Sequence, residues 1–279
     1  MDKKLGFIGL GDIGEPMAAN LIEAGFDLML YDLRQEPLAR LEKRGARIAQ
    51  SPYEIGEQCN IIAIMVVDDA QVEAVIVGKN GSGVLDGAKA GSIIIIHSTI
   101  SPGLCQYIAQ IASAKGVGVL DAPVSGGSMG ARARTLSIMV GGNHTLFEMC
   151  RPLFQALGTN IFHMGEVGTG QIGKIANNAM VVINLQATFE GLRLARQAGI
   201  DEHVMLEVAK AGSGNSWAVQ HWEEVGQAAK NYTSGATGMA ELAYGVMELA
   251  LSIGHEGKAP MPLLALATQL IERPFVRGQ

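Results

Sequence analysis

Residues 5–14 read LGFIGLGDIG and place Gly9, Gly11 and Gly14 at G-x-G-x-x-G spacing, after an apolar run and before a helical pattern. In that context each glycine has its own task. Gly9 permits a tight turn, Gly11 lets a pyrophosphate approach the backbone, and Gly14 lets helix and strand pack closely. The N–H groups of the loop Gly9, Leu10, Gly11, Asp12, Ile13 and Gly14, with the positive end of the helix, then hold phosphates. An acidic residue is expected about 20 residues on, and Asp32 stands there, after the run Leu28–Tyr31. Its carboxylate can accept hydrogen bonds from ribose hydroxyls and repels a 2′-phosphate. The expected cofactor is therefore NAD, although Arg34 softens that preference and leaves NADP open. The competing reading, a glycine-rich turn with no ligand, does not account for Asp32.

Lys174 and Asn178 carry a second chemistry. At i and i+4 of a helical run they share one face. A lysine against an apolar wall and beside a nicotinamide cation has a lowered pKa. It can exchange a proton with a hydroxyl as hydride leaves the carbon. Lys174 is then the base in oxidation and the acid in reduction, and Asn178 fixes the substrate oxygen. Against this, a lone lysine on a helix is usually solvated surface. Ser125, Gly126 and Gly127 lie in a loop past a strand end, where a hydroxyl and free N–H groups can hold a carboxylate without a fixed positive charge. A plain glycine-rich turn is the alternative.

The elements that must position these groups follow from the pattern. Leu5–Ile8, Leu28–Tyr31, Ile61–Val66, Ile93–Ile96 and Val117–Leu120 read as buried strands. Pro16–Ala24, Glu36–Arg44, Ala70–Val77 and Pro102–Ala114 read as the helices between them. Leu136–Val140 and Ile161–His163 extend the sheet around a helix at Leu146–Leu157. This alternation predicts an α/β fold, a doubly wound, mostly parallel Rossmann sheet, over residues 1–164. From Gln171 to Gln197 apolar residues recur at helical spacing without proline, which predicts a long interdomain helix. Residues 165–279 then form an all-α domain for substrate binding and oligomerisation.

The totals bound the rest. A chain of 279 residues suits one large domain or two ordinary ones. With 48% hydrophobic and 17% charged residues it is globular rather than disordered. The net charge of −6 and the lack of a basic run give no footprint for nucleic acid or a membrane surface. Apolar runs such as Ile61–Val67 fall far below the ~20 residues of a bilayer span, and MDKKLGFIGLG is too short a run for a signal peptide. Cys59, Cys105 and Cys150 lack a CxxC and read as reduced thiols of a cytoplasmic protein. His97 reads as a packing residue or a backbone partner rather than a base. The histidines lack ligand spacing, so no metal is expected.

Four segments together resemble the β-hydroxyacid dehydrogenase family, which includes 3-hydroxyisobutyrate dehydrogenase and tartronate semialdehyde reductase. They are GFIGLGDIGEPMAANL, HSTISP, DAPVSGGSMGARARTLSIMVGG and GEVGTGQIGKIANNAM, in the family's order across nearly the whole chain. The resemblance implies substrate binding by Ser125, Gly126 and Gly127. Gly168, Gly170, Lys174 and Asn178 fit the family's GxGxxxKxxxN pattern, which implies catalysis by Lys174 and Asn178. It also implies cofactor contacts from Thr99, from Val66 and Val67 and, as a further candidate, from Gln71, and a homodimer or homotetramer. This chain has Val66-Val67 where the family carries Leu-Pro. It also lacks the family's late-helix Lys-Asp pair, the position falling near Ala240-Glu241 or Gly245. Arg132 or Arg134, the latter at a site where glycine is common, could replace that charge; otherwise both are solvated. Trp217 and Trp222 line a pocket or merely pack.

The expected function is reversible NAD-linked oxidation of a small 3-hydroxy acid, a small-molecule carboxylate, to the 3-oxo acid or semialdehyde. Two other readings compete. One is reduction of an atypical carbonyl or imine on the same fold. The other is a non-catalytic cofactor-binding scaffold, which the presence of Lys174 argues against.

Overall fold

A computed structural model describes residues 4–225 and 239–271, side chains of 239–242 excepted. Two compact units divide the chain, Met1–Lys174 and Ile175–Gln279. The division falls inside a long helix, later than the sequence pattern places it.

The first unit is built on a nine-stranded sheet. Six strands are parallel: β1 (Lys4–Ile8), β2 (Asp27–Tyr31), β3 (Arg47–Ile48), β4 (Ile61–Ile64), β5 (Ile93–Ile96) and β6 (Gly118–Asp121). Their spatial order, β3-β2-β1-β4-β5-β6, reverses direction between β1 and β4. At that switch point an open α/β sheet has its ligand crevice, outside the carboxyl ends of the strands. Beyond β6 the sheet continues through β7 (Val124–Ser125), β8 (Leu136–Gly142) and β9 (Gly158–Gly165), with β8 antiparallel to β6 and β7 and parallel to β9. All four isoleucines of β5 are fully buried, as expected of a strand covered on both faces.

Helices α1 (Gly14–Glu23) and α2 (Gln35–Glu42) connect the first three strands. Next come α3 (Pro52–Gln58), α4 (Asp69–Ile76), α5 (Val84–Gly87) and α6 (Pro102–Ser113), then α7 (Gly127–Ala133) and α8 (His144–Leu157). One core cluster joins Phe7, Leu30, Phe147 and Phe154. A second, built on Ile62, Ile94, Cys105 and Ile108, fills the other face. The three cysteines are free and buried. Burial pushes the Cys59 thiol up to about 11 and the Cys150 thiol up to about 12, so neither is a nucleophile at neutral pH.

Several boundaries differ from the sequence reading. The β4 strand stops at Ile64 rather than Val66, because Val66 bonds a side chain instead of a neighbouring strand: its N–H donates to Ser98 Oγ at 2.9 Å, and Ser98 Oγ donates to its carbonyl at 2.8 Å. The stretch read as a loop after Asp121 contains β7 and α7. The α7 helix ends on Arg134, whose φ of 59° is left-handed. A glycine there would be relaxed, which gives a physical reason for arginine to be the unusual choice.

The long helix α9 (Thr169–Gln197) runs from the first unit into the second. The second unit adds α10 (Glu202–Ala211), α11 (Trp217–Gln220) and helices at Met239–Glu256 and Pro262–Gln269; no strand occurs among its described residues. Its core gathers Ile175, Ala179, Met247, Leu264 and Ile271. Among the described residues no helix is long and apolar enough to cross a membrane.

Candidate active site

The glycine loop shows a division of labour. Gly9 has φ +94°, and a Cβ there would lie 2.2 Å from the Met65 carbonyl oxygen. A Cβ on Gly14 would lie 2.0 Å from the carbonyl oxygen of Gly9. The fold itself therefore demands both glycines. Gly11 differs, since a Cβ there would meet nothing within 4 Å. Its glycine satisfies no packing need of the protein and leaves open space where a ligand can approach the backbone. Helix α1 starts just past it, and the N-cap residue Ile13 makes no side-chain cap bond. Helices α3, α4, α6 and α8 instead begin on Ser51, Asp68, Ser101 and Asn143, each capping with its side chain. Uncapped N–H groups at the end of a dipole are what a diphosphate requires, so these residues fit a dinucleotide.

Asp32 lies past the end of β2 and faces this loop. Its Oδ2 accepts from the Leu10 N–H at 2.6 Å, and its Oδ1 accepts from the Arg34 N–H at 2.8 Å. The Arg34 guanidinium bonds Asp32 Oδ1 and, at 2.9 Å, the Leu10 carbonyl. Arg34 is thus tied to the loop and to the carboxylate. Val67 is 44% exposed, and its N–H donates to Gln71 Oε1 at 3.2 Å. Gln71 therefore braces the loop after β4. Thr99 is half-buried beyond β5, between the buried Ser98 and Ile100. Gly9, Asp32, Val66 and Thr99 all follow the carboxyl ends of parallel strands.

Ser125 ends β7, and Gly126 and Gly127 follow with φ of 127° and 60°. Positive φ at both positions is a backbone that glycine adopts without strain. Lys174 lies in the second turn of α9. At Gly173 that helix lies against Met164 and Met139, whose side chains would be 2.9 and 3.7 Å from an added Cβ. The Lys174 amine has no hydrogen bond or ion pair among the described residues, and burial lowers its pKa to about 8. Asn178 follows one turn later on the same helix.

Some of the bonds that position these elements are not visible in the sequence. Asp121, at the end of β6, is fully buried. Its Oδ1 accepts from the Gly168 N–H at 2.7 Å and its Oδ2 from the Gln171 N–H at 2.8 Å. Burial raises its pKa, and these backbone bonds oppose the rise. A carboxylate from a distant strand thus caps the helix that carries Lys174. The approach is so close that a Cβ on Gly170 would lie 2.4 Å from the Met139 carbonyl oxygen. Asp69 accepts from the Ser101 N–H at 3.1 Å and from its hydroxyl at 2.5 Å, joining the starts of α4 and α6.

His97 is fully buried and pairs through Nδ1 with the Ala122 carbonyl at 2.8 Å. Burial drops its pKa to about 4, so it is a neutral backbone partner. Arg134 bonds Asn20 at 3.2 Å and pairs with Glu23. Arg132 lines a groove with Arg40 and Arg44 beside α1. Trp222 packs on Phe189 and donates to Glu202, while Trp217 stacks on His221. The side chains of Ala240 and Glu241 lie outside the described residues.

Residues 4–165 match the family model for the NAD binding domain of 6-phosphogluconate dehydrogenase. Residues 168–276 match the model for the NAD-binding of NADP-dependent 3-hydroxyisobutyrate dehydrogenase. The chain is 38% identical over 273 residues to 3-hydroxyisobutyrate dehydrogenase of Pseudomonas aeruginosa, covering 95% of this chain and 90% of that one. It is 35% identical over 269 residues to 2-(hydroxymethyl)glutarate dehydrogenase of Eubacterium barkeri, covering 96% and 88%. The solved structure of Mycobacterium tuberculosis 3-hydroxyisobutyrate dehydrogenase with L-serine superposes with a TM-score of 0.85 at 28% identity, covering 99% of this chain and 94% of that one. With both halves matched to the family's models and relatives above 30% identity along nearly the full length, the chain belongs to the β-hydroxyacid dehydrogenase family, with an NAD(P)-binding Rossmann domain at its N-terminal side.

Proposed function

We propose that this protein catalyses the reversible NAD-dependent oxidation of a small 3-hydroxy acid to the corresponding 3-oxo acid, or to the semialdehyde when the alcohol is primary. One observation carries the reading: a lysine with no hydrogen-bond or ion-pair partner among the described residues, its pKa lowered by burial to about 8, stands on a helix whose first turn is bonded to the loop after β5. The relatives' names support the substrate class. In 3-hydroxyisobutyrate, 2-(hydroxymethyl)glutarate and L-serine a hydroxymethyl group is attached to the carbon that bears a carboxyl group.

When bound, the nicotinamide supplies a hydride acceptor in oxidation and a hydride donor in reduction. The chain's own residues do the rest. The loop Gly9–Gly14 and the start of α1 hold the diphosphate, and Asp32 accepts from the ribose hydroxyls. Val66, Val67 and Thr99 border the cofactor. Ser125 and the N–H groups of Gly126 and Gly127 hold the substrate carboxylate. Neutral Lys174 takes the hydroxyl proton as the carbon–hydrogen bond breaks, and returns it in reduction. Asn178 donates to the reacting oxygen and fixes its position.

The sign of the pH dependence follows. Oxidation needs the neutral amine, so kcat rises with pH through about 8. Reduction needs the ammonium form, so kcat falls over the same range. Steady-state rates in both directions between pH 6 and 10 check this; profiles of the same sign in both directions contradict it. Asp32 also makes a prediction. Because Arg34 is engaged with Asp32 and Leu10, it is not free to greet a 2′-phosphate. Asp32→Asn is expected to raise the ratio of kcat/KM with NADP to that with NAD about ten-fold. The test of the function itself is a steady-state assay of NAD and NADP with a panel of 3-hydroxy acids. Turnover of at least one with NAD is expected; tight NAD binding without turnover of any, in either direction, overturns the proposal.

A further inference from the structure

Gln171 lies three residues before Lys174 in α9 and is fully buried. Its side-chain amide uses both ends. Nε2 donates to the Ser98 carbonyl at 2.8 Å, and Oε1 accepts from the Ile100 N–H at 3.1 Å. These two groups flank Thr99 on either side, so the amide closes a ring over the residue that borders the cofactor. The Gln171 N–H is held in turn by Asp121 at 2.8 Å. The Ser98 hydroxyl, bonded to both N–H and carbonyl of Val66, continues the connection to the loop after β4.

From this geometry we infer that Gln171 is a positioning residue, locking the Thr99 loop to the first turn of the helix that carries Lys174. The inference rests on the proposed role of Lys174 and extends it. The cofactor-facing loop and the proton-transferring amine are set by one side chain, so placing one places the other. A glutamine does this because it offers one donor and one acceptor at the right reach. The buried Ser98 carbonyl and Ile100 N–H require both.

Two variants test it. Gln171→Met keeps the length and loses both bonds. Gln171→Glu keeps the acceptor for Ile100 but turns a carboxylate oxygen toward the Ser98 carbonyl. Once protonated, that carboxyl has an O–H to donate to Ser98 and restores both bonds. The titratable groups against it are Asp121, which holds its backbone N–H, and the Cys105 thiol beside its side chain. Lys174 is one turn along the same helix. Burial and the Asp121 charge both raise the introduced carboxyl's pKa.

NAD affinity is measured by calorimetry and kcat by steady-state assay, at pH 6 and pH 9, each as a ratio to the parent at the same pH. Gln171→Met is expected to weaken NAD binding and lower kcat about ten-fold at both pH values. Gln171→Glu is expected to show the same losses at pH 9 and to recover within about three-fold of the parent at pH 6. Parent-like values for both variants, or losses in Gln171→Glu that are equal at the two pH values, overturn the inference. If Gln171→Met does not fold, the comparison of Gln171→Glu with itself at the two pH values still decides. Lys174→Ala is run in parallel. Parental turnover there sinks the role of Lys174, while the calorimetric comparison continues to judge the hold of Gln171 on the loop.

Discussion

Lys174→Ala is expected to lower kcat by about 10²–10⁴-fold in both directions, with the dissociation constant for NAD unchanged. The physical basis is the isolation of the amine. It has no carboxylate or hydrogen-bond partner among the described residues, and burial is the cause that lowers its pKa to about 8. A structural lysine would pair with an acid, and a surface lysine would keep its ordinary pKa. An amine left unpaired and partly desolvated is ready to take up and release a proton near neutral pH. Its removal deletes the proposed proton acceptor and leaves the glycine loop and Asp32 intact. Calorimetry with NAD and single-turnover kinetics separate these quantities. A fall in NAD affinity that matches the fall in kcat would mean that Lys174 serves binding and not proton transfer.

Alanine in the glycine loop is expected to produce two opposite phenotypes. Gly11→Ala places its methyl in open space, so its melting temperature should stay within about 2 °C of the parent. NAD binding should weaken at least about ten-fold, because that methyl occupies the approach of the diphosphate. Gly14→Ala and Gly9→Ala act on the protein itself. The first drives a methyl to 2.0 Å from the Gly9 carbonyl oxygen, and the second does so at 2.2 Å from the Met65 carbonyl oxygen with a left-handed φ as well. Each should cost about 3 kcal/mol or more of stability, since backbone must move to admit the methyl. Thermal melts with and without NAD read both effects. A destabilised Gly11→Ala with normal NAD affinity would refute the assignment of Gly11 to the ligand.

Much of the fold was legible because its strands are short, continuous apolar runs between helical patterns. Phe7, Ile62 and Ile95 announce buried parallel strands by composition alone. Strands β3 and β7 were not legible, since two residues carry no periodicity. Helix α3 carries a local signature: Ser51 caps onto the Glu54 N–H, Pro52 follows at the first turn, and Glu54 reaches back to the Gln50 N–H. Helix α7 was hidden by its glycines, which read as a loop; it is held in place by tertiary contact, with Asn20 Nδ2 donating to the Ala131 carbonyl at 2.6 Å.

The site divides in the same way. Gly9, Gly11, Gly14 and Asp32 are readable from spacing because their geometry is local to one strand–helix–strand unit. Lys174 stands out in the sequence through its motif, and its proposed role rests on that motif and on its burial. The links through Asp121, Ser98 and Gln171 are not legible in the sequence, because the groups they hold are distant in the chain: Asp121 reaches Gln171 across 50 positions, and Gln171 reaches Ser98 across 73. Only folding brings such pairs together. His97 shows the reverse. Its type invites a catalytic reading, and its burial against the Ala122 carbonyl makes it a neutral scaffold group.

The most direct test of hydride transfer from a 3-hydroxy acid uses a substrate from the assay panel deuterated at the hydroxyl-bearing carbon. It is incubated with enzyme and NAD, and the NADH is analysed by mass spectrometry. One deuterium in NADH, formed at the rate of oxo-acid appearance and slowed together with it in Lys174→Ala, is the predicted result. Oxo acid formed without deuterium in NADH would contradict the account.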